Sequence, residues 1–147
     1  MDIRVRCLKD GMIVLVSVPT VWAALCDFNS RSKWAASQYR LELVTEEVLR
    51  EGTQISCNMG LGEGTLFVGK LNYSHELMML GVIGKTPLHV CFKLREILDG
   101  SYVEVCLGLN NEPSLEEEVQ LVYYRDWMLD QLRTIKRQAE LAPRTRR

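Results

Sequence analysis

The chain has 147 residues, 47% of them hydrophobic and 25% charged, with a formal net charge of -1. That size suits one globular domain, residues 1–147, burying roughly 70% of the surface its unfolded form exposes. The near-neutral balance supplies no global attraction for nucleic acid or an anionic membrane. Five cysteines, Cys7, Cys26, Cys57, Cys91 and Cys106, are odd in number, contain no C-x-x-C pair and fall mostly inside apolar runs. They read as buried free thiols in a reducing compartment, the cytoplasm, and not as a secreted disulfide framework.

A leading strand at 3–8 is followed by the first well-marked one, Met12 to Val18, where Val14, Val16 and Val18 share a face. The apolar stretch from Met12 to Cys26 behind Arg4, Arg6 and Lys9 imitates a signal peptide. Asp10, Gly11, Pro19 and Thr20 interrupt it, no small-residue cleavage site follows, and it is too short and polar to span a bilayer, so a soluble protein with no integral membrane association is expected. Pro19 ends the strand but is tolerated in a helix's first turn, so Val21, Leu25 and Phe28 form an apolar stripe on a short helix stopping at Asn29. Ser30 is positioned to cap a second short helical turn that carries Trp34.

From Tyr39 the period changes to two, and strands are expected at 39–45, 53–59, 64–74, 77–83, 88–98 and 101–109, making seven with the first. Glu51-Gly52, Gly60-Leu61-Gly62, Lys85-Thr86-Pro87 and Asp99-Gly100 separate them, the last being a strong hairpin signal. Consecutive antiparallel pairing is the simplest arrangement.

The last helix is the best-marked element. Ser114 and Glu117 form an S-x-x-E capping box after Pro113, Glu116 to Glu118 complement the positive N-terminal dipole, and Pro143 limits the far end, leaving 142–147 as a frayed tail. About 28 residues lie between those signals, roughly 40 Å of helix. Leu121, Met128, Leu132, Ile135 and Ala139 form its apolar stripe, widened by Val122 and Leu129. Only a sheet's inner face is large enough to receive that stripe, which implies a two-layer α+β domain with a curved sheet.

The order strand, two short helices, six strands, long helix resembles the helix-grip superfamily called SRPBCC, which includes START lipid-transfer domains, the birch-pollen allergen group and polyketide cyclase/dehydrase-like proteins. The local echoes are V-x-V-P-x-x-V-W-x-x-L-x-D-F from Val16 to Phe28 with Lys33-Trp34 after it, Glu51-Gly52-Thr53, Phe92-x-Leu94 with Asp99-Gly100, and L-x-x-I-K-x-x-A-E from Leu132 to Glu140. These are scaffold positions. The resemblance implies α+β helix-grip architecture, a seven-stranded curved antiparallel sheet with two short helices and a long C-terminal helix packed across it, and an apolar hollow between them. It does not choose between carriage and chemistry.

Alternation turns Leu88, Val90, Phe92 and Leu94 inward, with Val103, Val105, Leu107 and Leu109 and with Ile55, Cys57 and Met59, leaving His89, Cys91, Lys93, Arg95, Glu104 and Gln54 to water. In the strand from Gly64, turning Phe67, Leu71 and Tyr73 inward avoids burying Lys70 and Asn72. The facing of 77–83 stays open. The expected ligand-binding residues are Trp34, Ile55, Met59, Phe67, Tyr73, Phe92, Val105, Tyr124, Met128 and Leu132, with the hydroxyls of Tyr73 and Tyr124 as polar contacts and Trp34 at the mouth.

No inward strand face carries two ionisable groups, so no catalytic residue is assigned. His89 and Cys91 share a strand face without a third ligand, His75 falls at a hairpin, and no zinc spacing, phosphate loop or nucleophile elbow occurs, so no metal or cofactor is expected. The basic end, Arg133, Lys136, Arg137, Arg144, Arg146 and Arg147, complements the helix dipole. The leading expectation is a binding or transport protein for a small hydrophobic molecule: a lipid, polyketide or aromatic metabolite. A cyclase/dehydrase-like enzyme and a co-chaperone-like interaction module are its rivals. Nucleic acid is not an expected partner, and a homodimer is compatible with the reading.

Overall fold

The computed structural model of the protein describes residues 5–31, 39–44, 48–84, 86–110 and 115–141. Trp34, the Ser114 capping box and the 142–147 tail lie outside the described residues. Seven strands are described: β1 (Val5–Val14), β2 (Tyr39–Leu43), β3 (Gln54–Met59), β4 (Glu63–Asn72), β5 (Glu76–Ile83), β6 (Thr86–Ile97) and β7 (Gly100–Asn110). They form one antiparallel sheet in the order β1-β7-β6-β5-β4-β3-β2. From β2 to β7 the sheet is a meander of neighbours, and β1 closes on the far side of β7. Two short helices, α1 (Val18–Cys26) and α2 (Phe28–Arg31), connect the two edge strands, and α3 (Leu115–Leu141) lies across the concave face of the curved sheet.

The first strand differs from expectation at both ends. The two expected strands are joined in one, Val5–Val14, because Asp10 and Gly11 keep their pairing with Val105 and Glu104. Gly11 lies under the Tyr102 ring, so a Cβ there would collide with the phenol. The strand stops at Val14, and the helix begins before the proline, at Val18, with Pro19 in its first turn. Val21, Leu25 and Phe28 are fully buried, as their spacing requires. The break between the helices falls at Asp27, whose Oδ1 accepts from the Ser30 backbone N–H at 3.3 Å. Asp27 is therefore the cap, and Ser30 is inside α2.

The sheet's hairpins follow the expected punctuation, shifted by a residue. The β6–β7 loop is Leu98-Asp99, with Asp99 at φ 64° and Gly100 already paired with Ile97. Gly100 is in the strand because the end of β1 crowds it: a Cβ would sit 2.5 Å from the Val14 carbonyl oxygen.

In β4 a register shift falls between Val68 and Lys70, around Gly69. Such a bulge bends the strand and raises its twist. It also resets the alternation. Leu66 and Val68 face inward before it and Leu71 after it, so Phe67, expected inward, is 47% exposed on the outer face beside Leu80. Tyr73, also expected inward, is in the β4–β5 turn, 74% exposed, with its ring edge-on to Trp22 at 5.7 Å. Lys70 and Asn72 stay in water without help from a single unbroken parity.

In β5, whose facing the sequence left open, Leu77, Met79 and Ile83 are inward. Gly81 shares that face without a side chain. A Cβ there would fall on the Thr65 carbonyl oxygen and press on Leu66, all on the neighbouring strand. Gly81→Ala is therefore expected to lower stability by about 1–3 kcal/mol through forced strand separation. Urea unfolding measures it; a midpoint within experimental error of the parent would show that β4 yields freely there.

Candidate functional site

The concave face and α3 enclose a continuous apolar cluster. From the sheet come Ile55, Cys57 and Met59 of β3, Leu66 and Val68 of β4, Leu77 and Met79 of β5, Leu88 to Leu94 on alternate positions of β6, and Val103 to Leu109 on alternate positions of β7. From α3 come Tyr124, Trp127, Met128, Leu132, Ile135 and Ala139. Seven of the ten expected ligand-binding residues meet here: Ile55, Met59, Phe92, Val105, Tyr124, Met128 and Leu132. Phe67 and Tyr73 do not, and Trp34 lies outside the described residues.

The α3 backbone approaches β1 and β7 on one flank and β3 on the other. Ile55, Met59, Phe92 and Val105 nevertheless have no surface open to a water-sized molecule. Around these four residues the described side chains pack without room for a water-sized molecule. Three methionines, Met59, Met79 and Met128, are part of that filling. Methionine is unbranched and repacks at low cost, so this filling is the kind that yields.

The helix stripe is rotated from its expected position. Val122 is 66% exposed and Leu129 half-buried, whereas Tyr124, Trp127, Gln131 and Thr134 are buried. Gln131 and Thr134 are buried there against Arg31 of α2. Its guanidinium is buried and donates to Gln131 Oε1 at 2.7 Å, to Thr134 Oγ1 at 3.1 Å, and through Nε and Nη2 to the Leu25 carbonyl at 3.2 and 3.0 Å. That carbonyl belongs to the last turn of α1, where helix acceptors lack intrahelical partners. One side chain therefore caps α1 and pins α2 to α3. Burial pulls its pKa down to about 10, opposed by the nearby Cys26, Asp27 and Asp130. Periodicity alone gives no signal for this, since Gln131 and Thr134 read as solvent-facing until a buried cation is known to seek them.

Three buried groups add polarity. Tyr124 has its phenol pKa raised, by burial first and by Cys57 second, and burial pushes the Cys57 thiol up to about 12. Both keep their protons near neutral pH and are not bases. The indole N–H of Trp127 is buried without a hydrogen-bond partner among the described residues. His75 is exposed in the β4–β5 turn, with Nδ1 2.9 Å from the Tyr73 carbonyl, and His89 is on the outer face over Gly108. Neither histidine enters the interior. Among the described residues no group of three His, Cys, Asp or Glu side chains is arranged to hold a metal ion, and no helix is long and apolar enough to cross a membrane.

The outer face is apolar at Phe67, Leu80 and Val82 and polar toward the Glu76 end of β5 and the adjoining parts of β6 and β7. An open cleft of about 470 Å³ there is lined by His75, Glu76, Lys93, Arg95, Tyr102 and Glu104, charges of both signs. The thiols correct the expectation of uniform burial: Cys57 and Cys91 are buried, Cys26 and Cys106 are partly so, and Cys7 is exposed. Cys91, placed in water by alternation, is instead covered on the outer face and donates to Glu76 Oε2 at 3.3 Å.

No protein-family model and none of the curated proteins matches the sequence. Solved structures do match in shape. A norcoclaurine synthase point mutant from Thalictrum, in complex with a transition-state analogue, aligns with a TM-score of 0.76 at 10% identity, over 95% of this chain and 97% of that one. The Zhui aromatase/cyclase from Streptomyces sp. R1128 aligns with a TM-score of 0.71 at 10% identity, over 93% and 94%. Ara h 8.0201 aligns with a TM-score of 0.70 at 13% identity, over 93% and 99%. At such identities it is the architecture that is shared, over 93% to 95% of this chain, and that architecture is the helix-grip fold.

Proposed function

We propose that the protein binds a small, largely hydrophobic molecule between the concave sheet and α3, in a space its methionines close when no ligand is held. One observation carries the reading: the inward positions of β3, β5 and β6 are apolar, and in the same cluster the Trp127 indole N–H, buried without a hydrogen-bond partner among the described residues, is a donor suited to one ligand oxygen. Such a lining with few polar groups is the ordinary composition of a small-molecule site. The likeness to a synthase that holds a transition-state analogue and to an aromatase/cyclase supports aromatic or polyketide-like molecules as the class. The cyclase-like alternative needs a proton-transfer group inside, and both histidines are on the solvent side.

Titration with N-phenyl-1-naphthylamine, a neutral fluorophore, is expected to give saturable one-site binding. Exchanging Met59 and Met128 for isoleucine keeps volume but stiffens the side chains, and is expected to weaken binding about tenfold, or 1.4 kcal/mol. Trp127→Phe is expected to weaken 1-acetonaphthone, which has a carbonyl acceptor, by about five- to tenfold, and naphthalene hardly at all. Absence of saturable binding in the parent, or binding indifferent to all three substitutions, refutes the reading.

A further inference from the structure

Outside the concave site, the outer face holds two sulfur atoms in unusually close contact. Cys7 Sγ of β1 and Cys106 Sγ of β7 are 2.7 Å apart. The register explains the approach. Cys7 is opposite Gly108 and Lys9 is opposite Cys106, so the two cysteines are diagonal neighbours on one face. Gly108 offers no side chain to Cys7, and the His89 ring of β6 covers that glycine, with Nδ1 2.9 Å from where a Cβ would be. The Cys7 side chain therefore leans along β7 to the next residue on its face, Cys106.

We propose that Cys7 and Cys106 are a reversible dithiol switch, oxidised to a β1–β7 cross-link by low-molecular-weight disulfides. Cys7, the exposed thiol, attacks one sulfur of the small disulfide. The small disulfide's S–S bond breaks, a mixed disulfide forms on Cys7, and the released thiolate takes up the proton Cys7 gave up. Cys106 then attacks the Cys7 sulfur of the mixed disulfide, closing the protein disulfide and releasing the second small thiol with the Cys106 proton. Two protein thiols are oxidised to one disulfide, and one small disulfide is reduced to two thiols.

The division of roles follows from the surroundings. Cys106 is half-buried, and burial with the hydrogen bond to Cys7 holds its pKa up at about 11, so it keeps its proton while Cys7 meets the reagent. Once Cys7 is capped, its thiol no longer raises the Cys106 pKa, and the Lys9 ammonium directly opposite favours the Cys106 thiolate, against the residual burial and the Glu104 carboxylate 3.6 Å from that ammonium. The other three thiols are poor competitors, because burial pushes Cys26, Cys57 and Cys91 up to about 12. Diagonal strand neighbours lie about 7–8 Å apart, beyond the roughly 4.4–6.8 Å between Cα atoms that an unstrained disulfide spans, so closing the bond must draw β1 and β7 together, and excess thiol readily reopens a bond strained in this way.

The test is incubation of the intact folded protein with oxidised glutathione, read by intact mass, thiol titration and non-reducing peptide mapping. The expected result is a fall from five free thiols to three, a Cys7–Cys106 linked peptide, no accumulated glutathione adduct, and full reversal by dithiothreitol. Cys106→Ser is expected to trap one glutathione on Cys7, and Cys91→Ser to leave the link intact. An adduct accumulating on the parent without an internal link, or a link joining Cys91 to Cys106, which face each other directly across β6 and β7, overturns the proposal.

Discussion

Arg31→Ala is expected to lower stability by about 3–5 kcal/mol, the range for breaking a buried charge network by removing one member. Four hydrogen bonds leave together, and what they satisfied stays buried: the Leu25 carbonyl, the Gln131 amide oxygen and the Thr134 hydroxyl. Thr134 retains a bond to the Gln131 carbonyl at 2.9 Å, so the loss concentrates on Leu25 and Gln131. Against a typical total of about 5–15 kcal/mol, this could leave little folded protein at 37 °C. Arg31→Lys should recover only a fraction, because one ammonium cannot reproduce the planar fork that reaches α1 and α3 at once. The pair Arg31→Met with Gln131→Leu is expected to recover more, since apolar replacement of both partners removes the unsatisfied groups along with the bonds. Urea unfolding of the single and double variants measures the coupling directly. A loss below about 1 kcal/mol for Arg31→Ala would show that α2 docks without its guanidinium.

The contrast between Arg31 and the strands shows what was legible in the chain beforehand. Strand alternation from 88 to 109 is read correctly because both strands are regular and one face is wholly apolar, so each residue's facing follows from its neighbour's. In β4 the same rule fails at Phe67 because Gly69 adds a residue to the count. An isolated glycine within a strand is a bulge signal, and reading 64–74 as one alternation ignored it. Trp127 was missed for a different reason. A stripe through the aliphatic residues passes to one side of the buried face, which is centred nearer Tyr124 and Gln131, where a cation a hundred residues away in the sequence meets it. The Cys7–Cys106 contact was beyond reach for the same reason, since it depends on the diagonal register of two strands separated by almost the whole chain.

Phe92→Ala offers the sharpest view of the interior. Phe92 has no exposed surface and is directly opposite Leu77 on one side and Val105 on the other, both also fully buried. Removing the ring is expected to cost about 3–5 kcal/mol, the transfer of the lost atoms plus the cavity that incomplete collapse leaves. If the ring instead bordered space already empty, the loss would fall well short of that range. The void formed would lie on the concave face beneath α3, lined by leucine and valine. Apolar cavities of this kind stay dry and accept benzene. Saturating benzene should therefore raise the variant's melting temperature, following the mass-action dependence on free ligand, and leave the parent's nearly unchanged, because in the parent the Phe92 ring itself fills that space. A variant that loses the expected stability but ignores benzene would mean that the methionines collapse into the gap. That outcome would demonstrate the mobility of the filling on which ligand admission depends, and the volume left for a ligand would then be set by how far those three side chains can retreat.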